Sequence, residues 1–333
     1  MSADSPLFSV VIPAYNAGKF ITLTIESILR QTVQDFEIVV VNDGSTDDTL
    51  EVLQGIADSR LRIVTQENGG ECVTRNRGIK EALGRYIAFL DADDAWRPNH
   101  LETILKYIQK LADISWFVTP TEQVPDIKPE DLTPARDNGC TVANWYLEGY
   151  TIPAASSTVL ARELALTVPD LFPAGYKMFG DSIGWARLAK VCKKLAIIDA
   201  PTVLYRFWQG NASTQNNVFS HGARTEAVKM ALAKHAEMYR EADCPPEAKL
   251  YYRHFALSNW WMCISSAFLP KEWEADFAAR RDVVGRVATL WMRACALFNR
   301  LTLCAMRWGV RMRKEAVGRK MRKMAKALKG GCN

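Results

Sequence analysis

Two acidic clusters follow apolar runs in the first hundred residues: Asn42-Asp43-Gly44-Ser45 behind residues 38–41, and Asp91-Ala92-Asp93-Asp94 behind residues 86–90. A third acidic position, Asp181, stands in Phe179-Gly180-Asp181. Carboxylates this close repel one another unless a cation or hydrogen-bond donors hold them. An Asp-x-Asp pair at a strand end therefore suits Mg²⁺ or Mn²⁺, with a phosphate completing the shell. In an open α/β sheet, ligands bind beyond the carboxyl ends of the strands, which is where both clusters fall. The chemistry these residues suggest is the handling of a metal-bound diphosphate.

The elements that must position these groups read as alternating strands and helices. Residues 8–12 form an apolar, β-branched run stopped by Pro13 and the turn-like Asn16-Ala17-Gly18. Ile21, Ile25, Ile28 and Leu29 then recur at helical spacing, and residues 37–41 give a second strand. Ser45-Thr46-Asp47-Asp48 supplies cap candidates for a helix through Leu50, Leu53 and Ile56. Residues 61–65 predict a third strand, 72–83 a helix ended by Gly84, and 86–90 a fourth strand. Residues 113–138 hold a variable stretch around 116–119 and a loop. Strand-like 157–160, helical 182–190 and strand-like 196–205 return to the sheet, and from Thr225 onward the pattern is helical apart from breaks at Pro245-Pro246 and Pro270. The alternation predicts an α/β fold with a mainly parallel sheet covered on both faces.

With 333 residues the chain is long enough for one large or two small domains, and 48% apolar with 24% charged residues is ordinary for a soluble protein. No uninterrupted apolar window of about 18 residues exists to span a bilayer. The start, Met1-Ser2-Ala3-Asp4-Ser5-Pro6, lacks the regions of a signal peptide, which predicts a cytoplasmic protein. The eight cysteines show no Cys-x-x-Cys pair and no histidine at zinc-finger spacing, so neither a disulfide framework nor structural zinc is expected. The net charge of +5 hides an asymmetry: residues 280–333 carry 15 Lys and Arg against 2 Asp and Glu.

There is no Gly-x-Gly-x-x-Gly after the first strand and no Gly-x-x-x-x-Gly-Lys-Ser/Thr, so nucleotide binding must use side chains and the metal. Four segments in order carry a more specific signal. They are Val10-Val11-Ile12-Pro13-Ala14-Tyr15-Asn16, Ile38-Val39-Val40-Val41-Asn42-Asp43-Gly44-Ser45-Thr46-Asp47, Thr74-Arg75-Asn76-Arg77-Gly78 and Phe89-Leu90-Asp91-Ala92-Asp93-Asp94. Together they resemble the family 2 glycosyltransferases of GT-A fold, densely over residues 8–110 and in patches to about 215.

The resemblance implies a sugar-nucleotide donor, a divalent metal on the Asp-x-Asp carboxylates, and inversion at the anomeric carbon. It implies that Pro13, Tyr15 and Asn16 line the nucleotide pocket, that Asp43 hydrogen-bonds the base, and that Arg75 faces the base or diphosphate. Asp91 is implied near the ribose and metal, with Asp93 the main metal ligand. Where the family usually shows Asp-Asp-Gly-Ser, this chain has Asn42-Asp43-Gly44-Ser45.

An acceptor hydroxyl must lose its proton as it attacks, which requires a carboxylate opposite the departing diphosphate. Asp181 is the candidate base, because residues 179–188 resemble the family segment in which Glu-Asp precedes a helix with a Trp and an Arg. Gly180 stands where the family usually has Glu, and Trp208 where it commonly has a metal-binding His. The four histidines, His100, His221, His235 and His254, make no ligand-spaced cluster and are expected on the surface or in the core.

The tail has a pattern of its own. Arg286, Arg293, Arg300 and Arg307 recur every seven residues, with Lys314 continuing the step and an apolar surface of Trp291, Leu297, Phe298 and Trp308 between them. Such a helix suits the headgroup region of an anionic bilayer. Packing on the catalytic domain is the alternative, and nucleic acid is not expected as a partner.

The expected organisation is a GT-A catalytic domain over 1–220, a helical extension over 221–279 and a basic amphipathic tail over 280–333. The expected function is transfer of a sugar from a nucleotide donor to a glycan or lipid-linked acceptor in cell-surface polysaccharide or lipopolysaccharide synthesis, on the inner face of the cytoplasmic membrane. A catalytically decayed membrane-bound interaction protein and a nucleotidyltransferase are the rivals.

Overall fold

The computed structural model describes residues 5–148, 153–176 and 180–207, together with Lys234, Glu247, Ala248 and Tyr251. Apart from those four residues, the expected helical stretch 221–279 lies outside the described residues, as do the basic tail of 280–333 and Trp208. The chain divides into two units, Met1–Ala143 with Ile152–Gln215, and Asn144–Thr151 with Asn216–Asn333.

In the first unit the elements run β1 (Phe8–Ala14), α1 (Ile21–Leu29), β2 (Phe36–Asp43), α2 (Thr49–Gln54), β3 (Leu61–Gln66), α3 (Glu71–Glu81) and β4 (Tyr86–Phe89). They continue with β5 (Ala95–Trp96), α4 (His100–Lys110), β6 (Trp116–Val118), β7 (Thr121–Val124) and β8 (Cys140–Asn144). Past α5 (Trp145–Glu148), which belongs to the second unit, come β9 (Thr158–Ala161), α6 (Arg162–Leu166), α7 (Gly180–Val191), β10 (Lys194–Ile198) and β11 (Val203–Arg206).

Eight strands form one sheet in the order β3-β2-β1-β4-β9-β6-β10-β8. β3, β2, β1 and β4 are parallel, as the apolar runs predict, and β9 enters antiparallel to both β4 and β6. The central strands are buried on both faces, Val10, Val11, Ile12 and residues 38–41 being fully covered. This explains why they read as continuous apolar runs and not as alternation. Pro13 does not end β1, which continues to Ala14 in register with Asn42. The last β1–β4 pair is Val11 with Phe89, and Leu90 donates its N–H to Val11. Pro13 faces the same side two residues on, where β4 has turned away and no ladder bond is lost.

The stretch 196–205, expected as one strand, is two. Asp199, Ala200 and Pro201 break it, so that β10 pairs parallel with β6 while β11 joins a separate three-stranded sheet, β5-β11-β7. In the second unit Trp145 and Tyr146 pack their rings 5.8 and 6.1 Å from that of Tyr251. Among the described residues no helix is long and apolar enough to cross a membrane.

Candidate active site

β2 lies on one side of β1 and β4 on the other, so the chain changes direction across the sheet at β1, the position at which open α/β sheets bind ligands. Asp43 closes β2, Tyr15 and Asn16 follow β1, and Asp91 and Asp93 follow β4, all at the carboxyl ends. Neighbouring strands lie about 4.8 Å apart, so the two acidic clusters stand roughly 10 Å from one another across β1.

The residues beyond β1 and β2 are tied to each other. Asn16, at a positive φ of 52°, accepts on Oδ1 from the Thr46 N–H at 2.8 Å and donates its own N–H to Ser45 Oγ at 3.0 Å. Its side chain shapes the turn, while Tyr15 beside it is 53% exposed and Pro13 is buried. Asp43 is buried, and its carboxylate accepts from Gln66 Nε2 at 2.7 Å and from the Gly69 and Gly70 N–H groups, both at 2.9 Å. It pins the loop entering α3, whose Gly70 has φ 84°. A base contact by Asp43 would use the acceptor capacity that these three bonds leave.

From that loop α3 carries Glu71 and, one turn later, Arg75. Arg75 is 3% exposed, and its Nη2 donates to Asp91 Oδ1 at 2.6 Å and also to Glu71 Oε1. The guanidinium lies 5.6 Å from the Phe172 ring centre, and its Nε is buried without a hydrogen-bond partner. Burial opposes the charge on Arg75, but Asp91, Glu71 and Asp181 more than offset it and hold the group firmly protonated.

Asp181 reaches this cluster because α7 is fastened to α3. Asn76 exchanges two hydrogen bonds with the Phe172 backbone, at 2.6 and 3.0 Å. Phe172 meets Trp185 edge-on at 5.0 Å, and a side chain at Gly184 would collide with Phe172. Arg187 ties the preceding loop, donating to the Pro169 carbonyl at 3.0 Å. Asp181, partly buried in the first turn of α7, accepts the Ser182 N–H at 2.7 Å. Desolvation raises its carboxyl above the ordinary range; the Arg75 charge and the Ser182 N–H pull it down, Asp91 pushes it up, and the net shift is upward. The candidate base and the first Asp-x-Asp carboxylate thus feel one another's charge.

Gly180 has no room for the side chain expected by resemblance: a Cβ there would lie 2.2 Å from Cys72 Sγ. The additional carboxylate of the cluster comes from Glu71 on α3. Glu71 keeps 49% of its side chain exposed; Arg75 draws its carboxyl down, partial desolvation and the nearby Asp91 and Asp181 charges push it up, and the net shift is upward. Sequence reasoning missed Glu71, which resembles any acidic residue opening a helix; its spacing of four from Arg75 was the available signal.

Asp94 turns inward. It is 1% exposed, accepts from Ser156 Oγ at 2.6 Å and from the Arg206 N–H at 3.0 Å, and desolvation with the Asp93 and Asp91 charges lifts its carboxyl well above the usual range. Asp91 and Asp93 remain as candidate ligands. One Asp91 oxygen is engaged by Arg75, and no cluster of three or more His, Cys, Asp or Glu able to hold a metal exists among the described residues. Mg²⁺-type ions take one or two carboxylates and complete their shell with phosphate and water, so these residues fit an ion shared with a diphosphate.

Residues 9–151 match the family described as Glycosyl transferase family 2. The glycosyltransferase GlyG of Streptococcus pneumoniae is 44% identical over 114 residues, 33% of this chain and 38% of that protein. The putative teichuronic acid biosynthesis glycosyltransferase TuaG of Bacillus subtilis is 42% identical over 113 residues, 33% of this chain and 45% of that protein. The chain thus spans less than half the length of these curated relatives. S. aureus TarS 1-349, solved with UDP-GlcNAc, superposes with a TM-score of 0.63 at 20% identity, covering 91% of this chain and 90% of that one. The mannosyltransferase PcManGT of Pyrobaculum calidifontis, solved with GDP-Man and Mn²⁺, gives 0.56 at 18% identity, covering 95% and 88%. The expected α/β fold of GT-A type is borne out by these superpositions.

Proposed function

From a glycosyl transferase family 2 domain at residues 9–151, we propose that this protein is an inverting glycosyltransferase that uses a nucleotide-sugar donor, a UDP-sugar before others. The acceptor is a glycan or a lipid-linked sugar in cell-surface polysaccharide or lipopolysaccharide synthesis. The observation that carries the reading is the meeting of Arg75, Asp91 and Asp181 from three separate elements in one charge cluster at the carboxyl end of the sheet.

Asp91 and Asp93 would hold a divalent ion, Mn²⁺ or Mg²⁺, which when bound offsets the negative charge that builds on the leaving diphosphate. Support for the donor and the ion comes from the sugar nucleotides and Mn²⁺ in the two similar structures. Arg75 adds a fixed positive charge and holds Asp91 in place. Pro13, Tyr15, Asn16 and Asp43 form the nucleotide side of the site. Asp181 takes the proton of the acceptor hydroxyl as the new bond forms at the anomeric carbon and the bond to the diphosphate oxygen breaks, the electron pair leaving with the nucleoside diphosphate. A base with a raised pKa suits that task near neutral pH.

The proposed domain boundaries are the catalytic 1–220, a helical 221–279 and a basic 280–333. The last segment would hold the protein on the inner face of the cytoplasmic membrane, each basic residue near an anionic surface contributing about 1 kcal/mol. Flotation with anionic liposomes should capture the full chain and not residues 1–279, and equal capture overturns this part.

A screen of UDP-, GDP- and dTDP-sugars with Mn²⁺ by thermal shift tests the donor, since a ligand that binds the folded state raises its apparent stability. Release of nucleoside diphosphate with a glycosylated product supports transfer. Release of pyrophosphate points to a nucleotidyltransferase, and no turnover of any bound donor to the decayed scaffold that Gly180 and Trp208 would suggest.

A further inference from the structure

The Asp91-Ala92-Asp93-Asp94 loop is a single turn, closed by the Asp94 N–H on the Asp91 carbonyl at 3.1 Å, between β4 and the two-residue β5. Its carboxylate geometry must come from outside, and three contacts converge on it. Thr24 Oγ1, on α1, lies 2.9 Å from the Ala92 carbonyl and 2.8 Å from that of Asp94. Ser156, fully buried in the turn before β9, uses its hydroxyl twice: the oxygen accepts the Asp91 N–H at 3.0 Å and the proton goes to Asp94 Oδ2 at 2.6 Å. The Ser156 carbonyl is itself fixed by Trp96 Nε1 at 2.8 Å.

Arg206, 4% exposed at the end of β11, makes the third contact. Its N–H donates to Asp94 Oδ1 at 3.0 Å and its Nε to the Asp93 carbonyl at 2.8 Å. Nη1 is anchored on Asp126 Oδ1 at 2.5 Å, and the guanidinium stands 4.8 Å from the Phe20 ring centre. Asp94 therefore joins Ser156 to Arg206, one oxygen to each, and both ends of the Asp-x-Asp backbone are gripped.

We propose that Ser156 and Arg206 are positioning residues for the metal-binding loop, fixing from two distant parts of the chain the spacing at which Asp91 and Asp93 present their carboxylates to a divalent ion. This rests on the reading of Asp91 and Asp93 as ligands. The hydroxyl at 156 must accept and donate at once, which Thr can reproduce and Ala cannot. At 206 one planar group must place Nε on a carbonyl and Nη1 on a carboxylate, which a Lys ammonium cannot do. The hydrogen bonds of Ser156 and Arg206 described above go to the loop backbone and to Asp94, so each would act through ligand orientation, for which losses of about 10- to 100-fold in metal affinity are usual.

The test is a titration of the full chain with Mn²⁺ in the presence of UDP or GDP, following the free-ion signal by electron paramagnetic resonance, with thermal midpoints recorded alongside. Ser156→Ala and Arg206→Lys are each expected to weaken Mn²⁺ binding by about 10-fold or more, Ser156→Thr to recover most of it, and Asp93→Ala to abolish it. If Ser156→Ala and Arg206→Lys bind Mn²⁺ like the wild type while Asp93→Ala does not, the positioning role is wrong and the ligand assignment stands. The positioning role is equally wrong if the two variants lose thermal stability alone. If the wild type binds no Mn²⁺ with either nucleotide, or Asp93→Ala binds it unchanged, both the assignment and the positioning role fall.

Discussion

Arg75 Nη2 stands 2.6 Å from Asp91 Oδ1, and this ion pair joins the first turns of α3 to the loop beyond β4. The guanidinium is almost wholly buried, and its positive charge acts on both Asp181 and Glu71. Removing the buried cation leaves carboxylates that water partly screens, Asp91 at 23% and Glu71 at 49% exposure, so the cost is about 1–3 kcal/mol, below that of a fully buried pair. Arg75→Met is expected to lose that much stability at pH 7.5 in urea unfolding. The loss should shrink as pH falls, because the carboxyls freed of Arg75 take up protons and cease to repel. A loss under about 1 kcal/mol, or one independent of pH, would show that the pair does not hold the cluster together.

Asp181 gives a kinetic prediction with a definite sign. Its carboxyl sits above the ordinary value of 3.8, and a general base works only when deprotonated. Activity should therefore fall as pH drops through a pKa higher than 3.8, and the acid limb of kcat/KM should lie above that of an exposed aspartate. Asp181→Asn should remove transfer by a factor of about 10²–10⁴ with donor affinity unchanged. Weakened donor binding in that variant would place Asp181 on the donor side and end its assignment as the base.

Gly180 and Cys72 form a steric pair that a double-mutant cycle can isolate. A methyl at 180 would sit 2.2 Å from Cys72 Sγ, too close for either to stay. Gly180→Ala alone is expected to destabilise by about 1–3 kcal/mol through overpacking. In a Cys72→Ala background, where the sulfur is gone, most of that loss should vanish, giving a coupling of about 1 kcal/mol or more. Additive effects would mean that the residues are not in contact.

The parallel half of the fold was legible because its strands are buried on both faces and its turns carry Gly, Asn and Asp. The carboxylates were legible because they follow those strands directly. What escaped was set by tertiary contact. Nothing local separates Asp93 from Asp94; Asp94 turns inward only because Ser156 and Arg206, 62 and 112 residues along the chain, wait there as partners. Glu71 gained its place from the fastening of α7 onto α3 through Asn76 and Phe172. The stretch 196–205 has strand composition throughout, and Pro201 marked the break between two sheets. β9 looks like the other strands from its residues, and its antiparallel sense depends on the path of the chain before it.

His100 supplies a stability test independent of catalysis. It lies fully buried at the start of α4, stacked on Trp96 at 4.2 Å between ring centres, with Nδ1 2.7 Å from Thr202 Oγ1. Burial drives its pKa from 6.5 down to about 3, so the folded protein keeps the ring neutral while the unfolded chain protonates it below pH 6.5. The folded state is therefore favoured fully above pH 6.5 and loses that advantage as pH falls toward 3. The slope is about 1.4 kcal/mol per pH unit for one such group. His100→Phe keeps an aromatic ring against Trp96 and removes the titrating nitrogens. The difference between urea unfolding free energies at pH 7.5 and pH 5 should be smaller in this variant than in the wild type by about 2 kcal/mol. An unchanged difference would mean that His100 takes up its proton in the folded state as readily as in the unfolded chain.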